Sequence, residues 1–247
     1  MESGSTLVAS ALSLFAGGLV KGVAGLGLPL VALPLLTTVV SLKTAVGLLV
    51  VPTIASNLVQ SFQGGRFRST LKRFWPVIVT LLATISISTN ALVLVPEKVL
   101  YAVIGLAVIG FPMISHFRPE LRVRPGQERW LGPLAGVIGG FLGGVSSFYG
   151  PPLMLYVVSL RLPKDEFVPA VSLLYFMGSV GLGAGLLSFG IMGLADLGES
   201  ALACIPVFAG LWLGQIAHAR LHQQRFDRVL LAVYLATGAS FLLRAFG

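Results

Sequence analysis

The chain has 247 residues, of which 55% are hydrophobic and 11% are charged, and its mean hydropathy is +0.92. Soluble domains carry about 25% charged residues, so this composition excludes a soluble protein and indicates an integral membrane protein. The excess of 17 Lys and Arg over 9 Asp and Glu does not indicate nucleic-acid binding. The basic residues lie mostly in short segments between apolar runs and form no basic face with aromatic platforms.

Long stretches of the sequence contain no Asp, Glu, Lys or Arg. A helix needs roughly 20 apolar residues to cross the hydrocarbon core of a bilayer, and most of these stretches are about that long or longer. Transmembrane barrels instead alternate polar and apolar residues over segments of about ten, and these stretches do not alternate. We therefore predict an all-α integral membrane protein. The stretches are residues 22–42, 44–65, 74–96, 99–117, 130–160, 167–195 and 200–219.

In chain order, each half of the sequence has one broken apolar stretch followed by three unbroken ones. In the first half these are residues 5–40, interrupted near 22–27, and then 44–63, 74–95 and 99–116. In the second half they are residues 130–160, also interrupted, and then 167–190, 200–219 and 227–246.

The two halves also match residue by residue. Gly17-Gly18 align with Gly139-Gly140, Gly22-Val23 with Gly144-Val145, and Pro29 with Pro151; later matches are Ala45-Val46 with Ala170-Val171, Pro76 with Pro206, and Val99-Leu100 with Val229-Leu230. We predict one transmembrane domain, 1–247, built by internal duplication. Repeat 1 covers 5–116, a cytoplasmic connecting loop covers 117–129, and repeat 2 covers 130–246.

Loop charge predicts the orientation of the two repeats. Basic loops face the cytoplasm, which places 66–73, 117–129 and 220–228 inside, whereas 191–199, with Asp196 and Glu199, is outside. The broken run 130–160 must then cross an even number of times. We therefore predict a re-entrant hairpin plus three transmembrane helices in each repeat, with the two repeats inverted. The alternative is a single tilted span at each break, which gives eight spans and parallel repeats.

At the two breaks the sequence resembles the TauE/SafE family, the sulfite-exporter-type permeases also called TSUP. The resemblance rests on a glycine-rich break that is followed by proline in each half. These residues are Gly18, Gly22, Gly25, Gly27 and Pro29, then Gly140, Gly144, Gly150, Pro151 and Pro152, with the segment 60–68 as a further match. Leu28, Ser147 and Tyr149 depart from the family pattern. The resemblance implies transport of a small anion, typically sulfite, a sulfonate or a related sulfur compound.

The breaks are suited to binding an anion. Backbone that leaves a helix inside a membrane must be buried in protein or line a polar cavity. Pro29 and Pro151 favour the start of a new half-helix, whose N-terminus carries unpaired N–H groups and a partial positive charge. For Gly25, Gly27 and Gly150 we favour this site. For Gly17, Gly18, Gly139 and Gly140 we favour close helix packing.

Side chains near the breaks complete the predicted site. Lys21 stands deep in an apolar run, where an ionisable residue is expensive and therefore a functional candidate; the alternative is a lysine that snorkels to the interface. The second half has Gly143 at that position but supplies the hydroxyls of Ser146, Ser147 and Tyr149, which can donate to anion oxygens. The alternative is that the serines bond their own backbone carbonyls. Asn57 lies in a polar stripe with Thr53, Ser56 and Gln60, which interhelical hydrogen bonds explain as well as a pore does. The predicted anion-binding residues are Lys21, Gly22, Gly25, Gly27, Pro29, Asn57, Ser146, Ser147, Tyr149, Gly150 and Pro151.

Together with the predicted membrane fold, the resemblance thus implies an exporter or facilitator of small sulfur-containing anions in the cell inner (plasma) membrane. A carboxylate transporter and a membrane enzyme or assembly factor are the alternatives. We expect no catalytic activity, cofactor or metal, since no nucleophile triad or phosphate loop is present and His116, His218 and His222 show no metal-ligand spacing. The expected partners are the anion and the bilayer. The oligomeric state is left open, with a homo-oligomer as one option.

Overall fold

A computed structural model describes residues 4–25, 27–62, 65–117, 122–124, 126–218 and 223–246. Within these residues the chain forms twelve helices and no strand. The helices are α1 Gly4–Ala24, α2 Leu28–Leu36, α3 Leu42–Ser61, α4 Phe67–Ser88, α5 Ala91–Leu94, α6 Glu97–Phe117, α7 Glu128–Ser146, α8 Gly150–Ser159, α9 Lys164–Ser188, α10 Leu194–Leu202, α11 Cys204–His218 and α12 Gln223–Phe246.

Six helical stretches of the described chain are long and apolar enough to cross a membrane, which confirms the predicted all-α membrane fold. They are Gly4–Val23, Leu42–Ser61, Phe67–Leu94, Glu97–Ile114, Glu166–Ser188 and Leu194–Ala217.

Three segments that the charge pattern marks as loops are largely helical. In the predicted loop 220–228, α12 begins at Gln223, and residues 220–222 lie outside the described residues. α4 begins at Phe67, so most of the predicted loop 66–73 is its first two turns, and α10 begins at Leu194 inside the predicted loop 191–199. The acidic side chain of Asp196 accepts a hydrogen bond from Gly193 N at 2.7 Å, which favours a helix start there. Charge therefore identified exposed segments but not their backbone conformation. In the predicted loop 117–129, residues 118–121 and 125 lie outside the described residues.

Each break turns the chain back on itself to form a helical hairpin. A Cβ on Gly17 of α1 would lie 2.7 Å from Ala32 Cβ of α2, and one on Gly139 of α7 would lie 3.1 Å from Leu153 Cγ of α8. The return helices α2 and α8 have 9 and 10 residues. At 1.5 Å per residue they are roughly 14–15 Å long, about half of the hydrocarbon core.

The second hairpin begins and ends at the same side of the molecule. Arg73 Nη2 lies 3.0 Å from Glu128 at the start of α7, and Arg73 Nη1 lies 3.9 Å from Glu166 near the start of α9. Arg66 also pairs with Glu166, at 2.5 Å. We call this surface, which contains Arg66, Arg73, Glu128 and Glu166, the arginine face; the loop charges predict that it is cytoplasmic. Both ends of the α7–α8 hairpin therefore lie at the arginine face, as a re-entrant hairpin requires.

Helices of the two halves pack against each other in matched pairs. α1 packs on α11 and α4 packs on α7, while α3 pairs with α9 and α6 pairs with α12. In α6 and α12, the ring of Tyr101 stacks on that of Phe241, and Gly105 approaches Gly238. As residue numbers rise along α6, the numbers of the contacting residues fall along α12, so the two helices are antiparallel.

The same direction holds for α3 and α9. Gly183 approaches Val50, whereas Ser172 donates a hydrogen bond to Gln60 Oε1 at 3.4 Å. The sequence alignment makes α3 and α9 equivalent, and likewise α6 and α12. An antiparallel pairing of equivalent helices is the arrangement that inverted repeats require.

Glycine brings the backbones of α1 and α11 into contact. A Cβ on Gly18 would lie 2.2 Å from the carbonyl oxygen of Val207, so Gly18→Ala should force the two helices apart and lower the free energy of unfolding by about 1–3 kcal/mol. The matched control is Gly110→Ala in α6, since nothing lies within 4 Å of a Cβ there. Thermal unfolding in detergent should show a lower midpoint for Gly18→Ala only. Equal midpoints for both variants would show that α1 and α11 leave room for a methyl group at Gly18.

Candidate functional site

The two breaks have the same backbone geometry at equivalent positions. Gly25 N donates to Lys21 O at 2.7 Å, and Ser147 N donates to Gly143 O at 2.8 Å. Gly25 and Ser147 both adopt left-handed conformations, with φ of 75° and 65°. Such a residue commonly ends a helix, and a serine there is uncommon. Both outgoing helices thus end in the same way, directly before the return helix begins.

The return helices begin without a side-chain cap. Pro29 and Pro151 are each the second residue of their helix, α2 and α8, and neither N-terminus has a side-chain cap. The residue before α2 is Gly27, with φ of 96°, a conformation that favours glycine. The first N–H groups of a helix have no partner within it. Proline has no N–H, so the N–H groups of Leu28 in α2 and Gly150 in α8 are the first that can donate to a ligand.

The two breaks line one cavity, which has a volume of about 30 Å³. From the first hairpin, the cavity includes Lys21 and the segment 27–30; from the second, it includes residues 147–151. Thr53 and Asn57 of α3, Tyr175 of α9 and Tyr234 of α12 complete its wall. The structure therefore brings the tips of the two hairpins together around a common space.

Among the described residues that line the cavity, Lys21 is the one with a cationic side chain. Its side chain is 2% exposed, and its Nζ donates a hydrogen bond to Asn57 Oδ1 at 2.7 Å. Asn57 is held in turn by a hydrogen bond from its Nδ2 to Thr53 O at 2.9 Å. None of the ion pairs within the described chain includes Lys21. A buried ammonium without a carboxylate is costly unless another group compensates its charge.

Tyr149, from the second hairpin, forms another part of the wall. Its ring fits between two helices because Gly143 and Gly178 have no side chain: a Cβ would lie 2.8 Å and 3.2 Å from the ring. The ring also meets Tyr175 edge to face at 5.5 Å. The Tyr149 hydroxyl is buried and forms no hydrogen bond of good geometry within the described chain, although the hydroxyls of Ser147 and Ser179 lie near it. An unsatisfied buried hydroxyl is unfavourable, so a ligand that accepts from it would be stabilised.

Most of the predicted site residues lie on the cavity. Gly22, Gly25 and Ser146 do not. A Cβ on Gly22 would lie 2.2 Å from Leu211 O, so Gly22 packs against α11. A Cβ on Gly25 would have no atom within 4 Å. Ser146 Oγ donates to Leu142 O at 2.6 Å and accepts from Phe148 N at 3.3 Å. The predicted residues on the cavity are Lys21, Gly27, Pro29, Asn57, Ser147, Tyr149, Gly150 and Pro151.

Sequence reasoning missed the aromatic wall, in particular Tyr175 and Tyr234. A signal was present, because the chain has only five tyrosines and three of them, Tyr149, Tyr175 and Tyr234, line this cavity. Tyrosine in membrane proteins is enriched at the two interfaces, so one inside an apolar run needs another explanation.

The described residues contain no group of three His, Cys, Asp or Glu side chains that could hold a metal ion. His222 lies outside the described residues.

The contact between Lys21 and Asn57 can be tested by a double-mutant cycle. Asn57→Leu should lower the free energy of unfolding by about 1–3 kcal/mol, because it leaves the buried ammonium without its acceptor. Lys21→Met/Asn57→Leu should recover part of this loss, since both polar partners are gone. Thermal unfolding in detergent of the wild type, both single variants and the double variant gives the coupling. Strictly additive effects would mean that the two side chains do not interact.

A family model described as "Sulfite exporter TauE/SafE" matches residues 10–241. No curated protein and no solved structure matches the chain. The family match covers both hairpins and nearly all of the described helices, and it confirms the resemblance that the glycine and proline motifs predict. The chain therefore belongs to the TauE/SafE sulfite exporter family and is a multi-pass membrane transporter.

Proposed function

We propose that this transporter moves a small sulfur-containing oxyanion, such as sulfite or an organosulfonate, across the cell inner membrane. The anion binds in the cavity between the two helix breaks. The observation that carries the proposal is Lys21: a buried ammonium whose Nζ contacts an amide oxygen and no carboxylate of the described chain, in a cavity that both breaks line. A bound anion would supply the missing negative charge.

Two helix N-termini add to the charge of Lys21. The return helices α2 and α8 both begin at the cavity wall, at Leu28 and Gly150. A helix N-terminus is equivalent to about half of an elementary positive charge, and its free N–H groups bind oxyanions directly. The hydroxyl of Tyr149, unsatisfied within the described chain, adds a donor from the second hairpin. Inverted repeats with half-helices that point at an anion are a recurrent transporter design.

The family description favours sulfite over other anions, while the geometry alone admits a small carboxylate as well. Apolar and aromatic side chains make up much of the wall, namely Leu28, Leu30, Phe148, Tyr175 and Tyr234. Such a wall tolerates a short organic group next to the anionic head. A membrane enzyme is the less favoured alternative, because no ionisable side chain other than Lys21 and the tyrosines lines the cavity among the described residues.

Lys21→Met should abolish anion transport or slow it at least tenfold, because the variant removes the formal charge that attracts the substrate. Proteoliposomes can report sulfite flux, with methanesulfonate, sulfate and acetate as competitors. Lys98→Met, at an exposed position next to Glu97, is the matched control and should transport like the wild type. Wild-type flux in Lys21→Met would refute the proposed site. Competition by acetate and none by methanesulfonate would favour the carboxylate alternative.

We further propose that the membrane potential drives export. An anion that leaves an inside-negative compartment gains about 2.3 kcal/mol per charge for each 100 mV, and the cavity has no carboxylate among its described lining residues to relay protons.

Sulfite-loaded proteoliposomes should therefore release sulfite faster when a potassium diffusion potential makes their interior negative. The same vesicles without a potential are the control, and Lys21→Met vesicles give the leak. An efflux rate that does not change with the potential would show electroneutral transport, for example with a proton.

A further inference from the structure

A second concave region lies on the lipid-facing side of the α7–α8 hairpin, away from the transport cavity. It has a volume of about 230 Å³ and lies between α6, α7 and α8. Its wall is mainly apolar and includes Phe111, Leu134, Ile138, Pro152 and Leu155. Leu134 and Ile138 are 52% and 37% exposed, so the space is accessible from outside the protein. We call it the α6–α8 groove.

The groove reaches from the arginine face into the apolar layer. At its mouth the segment 122–124 crosses the end of α8, where Val123 N donates to Ser159 O at 2.9 Å. Along α7 the lining runs from Leu131 to Ile138, roughly 10 Å at 1.5 Å per residue. Trp130, at the same level as the mouth, is 73% exposed, as expected for an interfacial anchor. An occupant would thus have an apolar part inside the groove and a head at its mouth.

The mouth of the groove is strongly basic. Arg122 lines it, and Arg124 and Arg129 lie close to it in sequence; all three are exposed. None of them forms an ion pair within the described chain, and the nearby Glu128 is already paired with Arg73 at 3.0 Å. The groove therefore combines an apolar wall with arginines that have no acidic partner among the described residues.

We propose that the α6–α8 groove binds an anionic phospholipid, with one acyl chain along the apolar wall and the phosphate group at Arg122. A neutral lipid would fill the apolar part but would leave the basic mouth without a counterion. Basic pockets between transmembrane helices on the cytoplasmic side are known to favour anionic head groups. The proposal does not depend on which anion is transported.

The bound lipid would contact the hairpin that forms the transport cavity. Pro152 lines the groove, and its neighbour Pro151 lines the cavity on the other side of α8. The lipid would therefore pack against the back of a return helix whose N-terminus faces the substrate. The occupied groove would hold α8 against α7 and α6.

Native mass spectrometry of the full chain, with phosphatidylglycerol and phosphatidylcholine titrated separately, tests the proposal. The wild type should bind one phosphatidylglycerol more tightly than phosphatidylcholine. Arg122→Gln should weaken this preference about fivefold, which corresponds to about 1 kcal/mol for one basic side chain at a membrane surface. Arg68→Gln, an exposed arginine near the start of α4 that does not line the groove, is the matched control and should keep it.

A second variant separates the groove from general surface charge. Leu134→Trp fills the apolar wall without changing the charge, so it should reduce the occupancy of both lipids. Equal binding of the two lipids by the wild type, an equal loss in Arg122→Gln and Arg68→Gln, or full phosphatidylglycerol binding by folded Leu134→Trp would each overturn the proposal. Because the readout is lipid binding, a failure of sulfite transport leaves this result unaffected.

Discussion

Backbone N–H and C=O groups that leave a helix inside a bilayer have no water to bind, and this chain leaves its helices twice. Both times the break is enclosed by protein: the segments 27–30 and 147–151 face each other across one small cavity. Burial of irregular backbone against a polar space is the condition under which a membrane tolerates it. The surrounding helices must therefore pack closely enough to enclose both breaks.

Glycine makes that packing possible. The outgoing helix of each hairpin lies against a helix of the other half, α1 on α11 and α7 on α4. At these contacts a Cβ on Gly18 would meet Val207 O at 2.2 Å, and one on Gly140 would meet Leu81 O at 2.7 Å. Helices in lipid gain little from the hydrophobic effect and associate through such close contact instead. Each half thus encloses the hairpin of the other, so neither half would form its break alone.

How far the sequence predicted this arrangement depends on the range of each interaction. Local signals were sufficient for the breaks, since Pro29 and Pro151 each start a short helix within one residue of the expected position. The burial of Lys21 also follows from its place in an apolar run. The partner of Lys21 could not be deduced, because Asn57 lies 36 residues away and its polar stripe has a purely structural explanation. Tyr175 and Tyr234 reach the cavity only through the packing of α9 and α12, which no local pattern encodes.

The scaffold is nearly symmetric, but the cavity is not, and electrostatics gives a reason. The alignment of the halves sets Lys21 against Gly143 and Gly27 against Tyr149. The first hairpin thus has a large side chain, Lys21, on its outgoing helix and a glycine at the turn. The second hairpin has a glycine on its outgoing helix and a large side chain, Tyr149, at the turn. A lysine at both equivalent positions would bury two ammonium groups in one small cavity, where like charges repel strongly.

The absence of a side chain at Gly143 also has a positive effect. A Cβ there would lie 2.8 Å from Tyr149 Cδ1, so the glycine that aligns with Lys21 makes room for the aromatic wall. The difference between Lys21 and Gly143 at this aligned position therefore affects both the charge and the shape of the cavity. In the anion site that we propose, the first hairpin thus supplies the charge and the second supplies the aromatic ring.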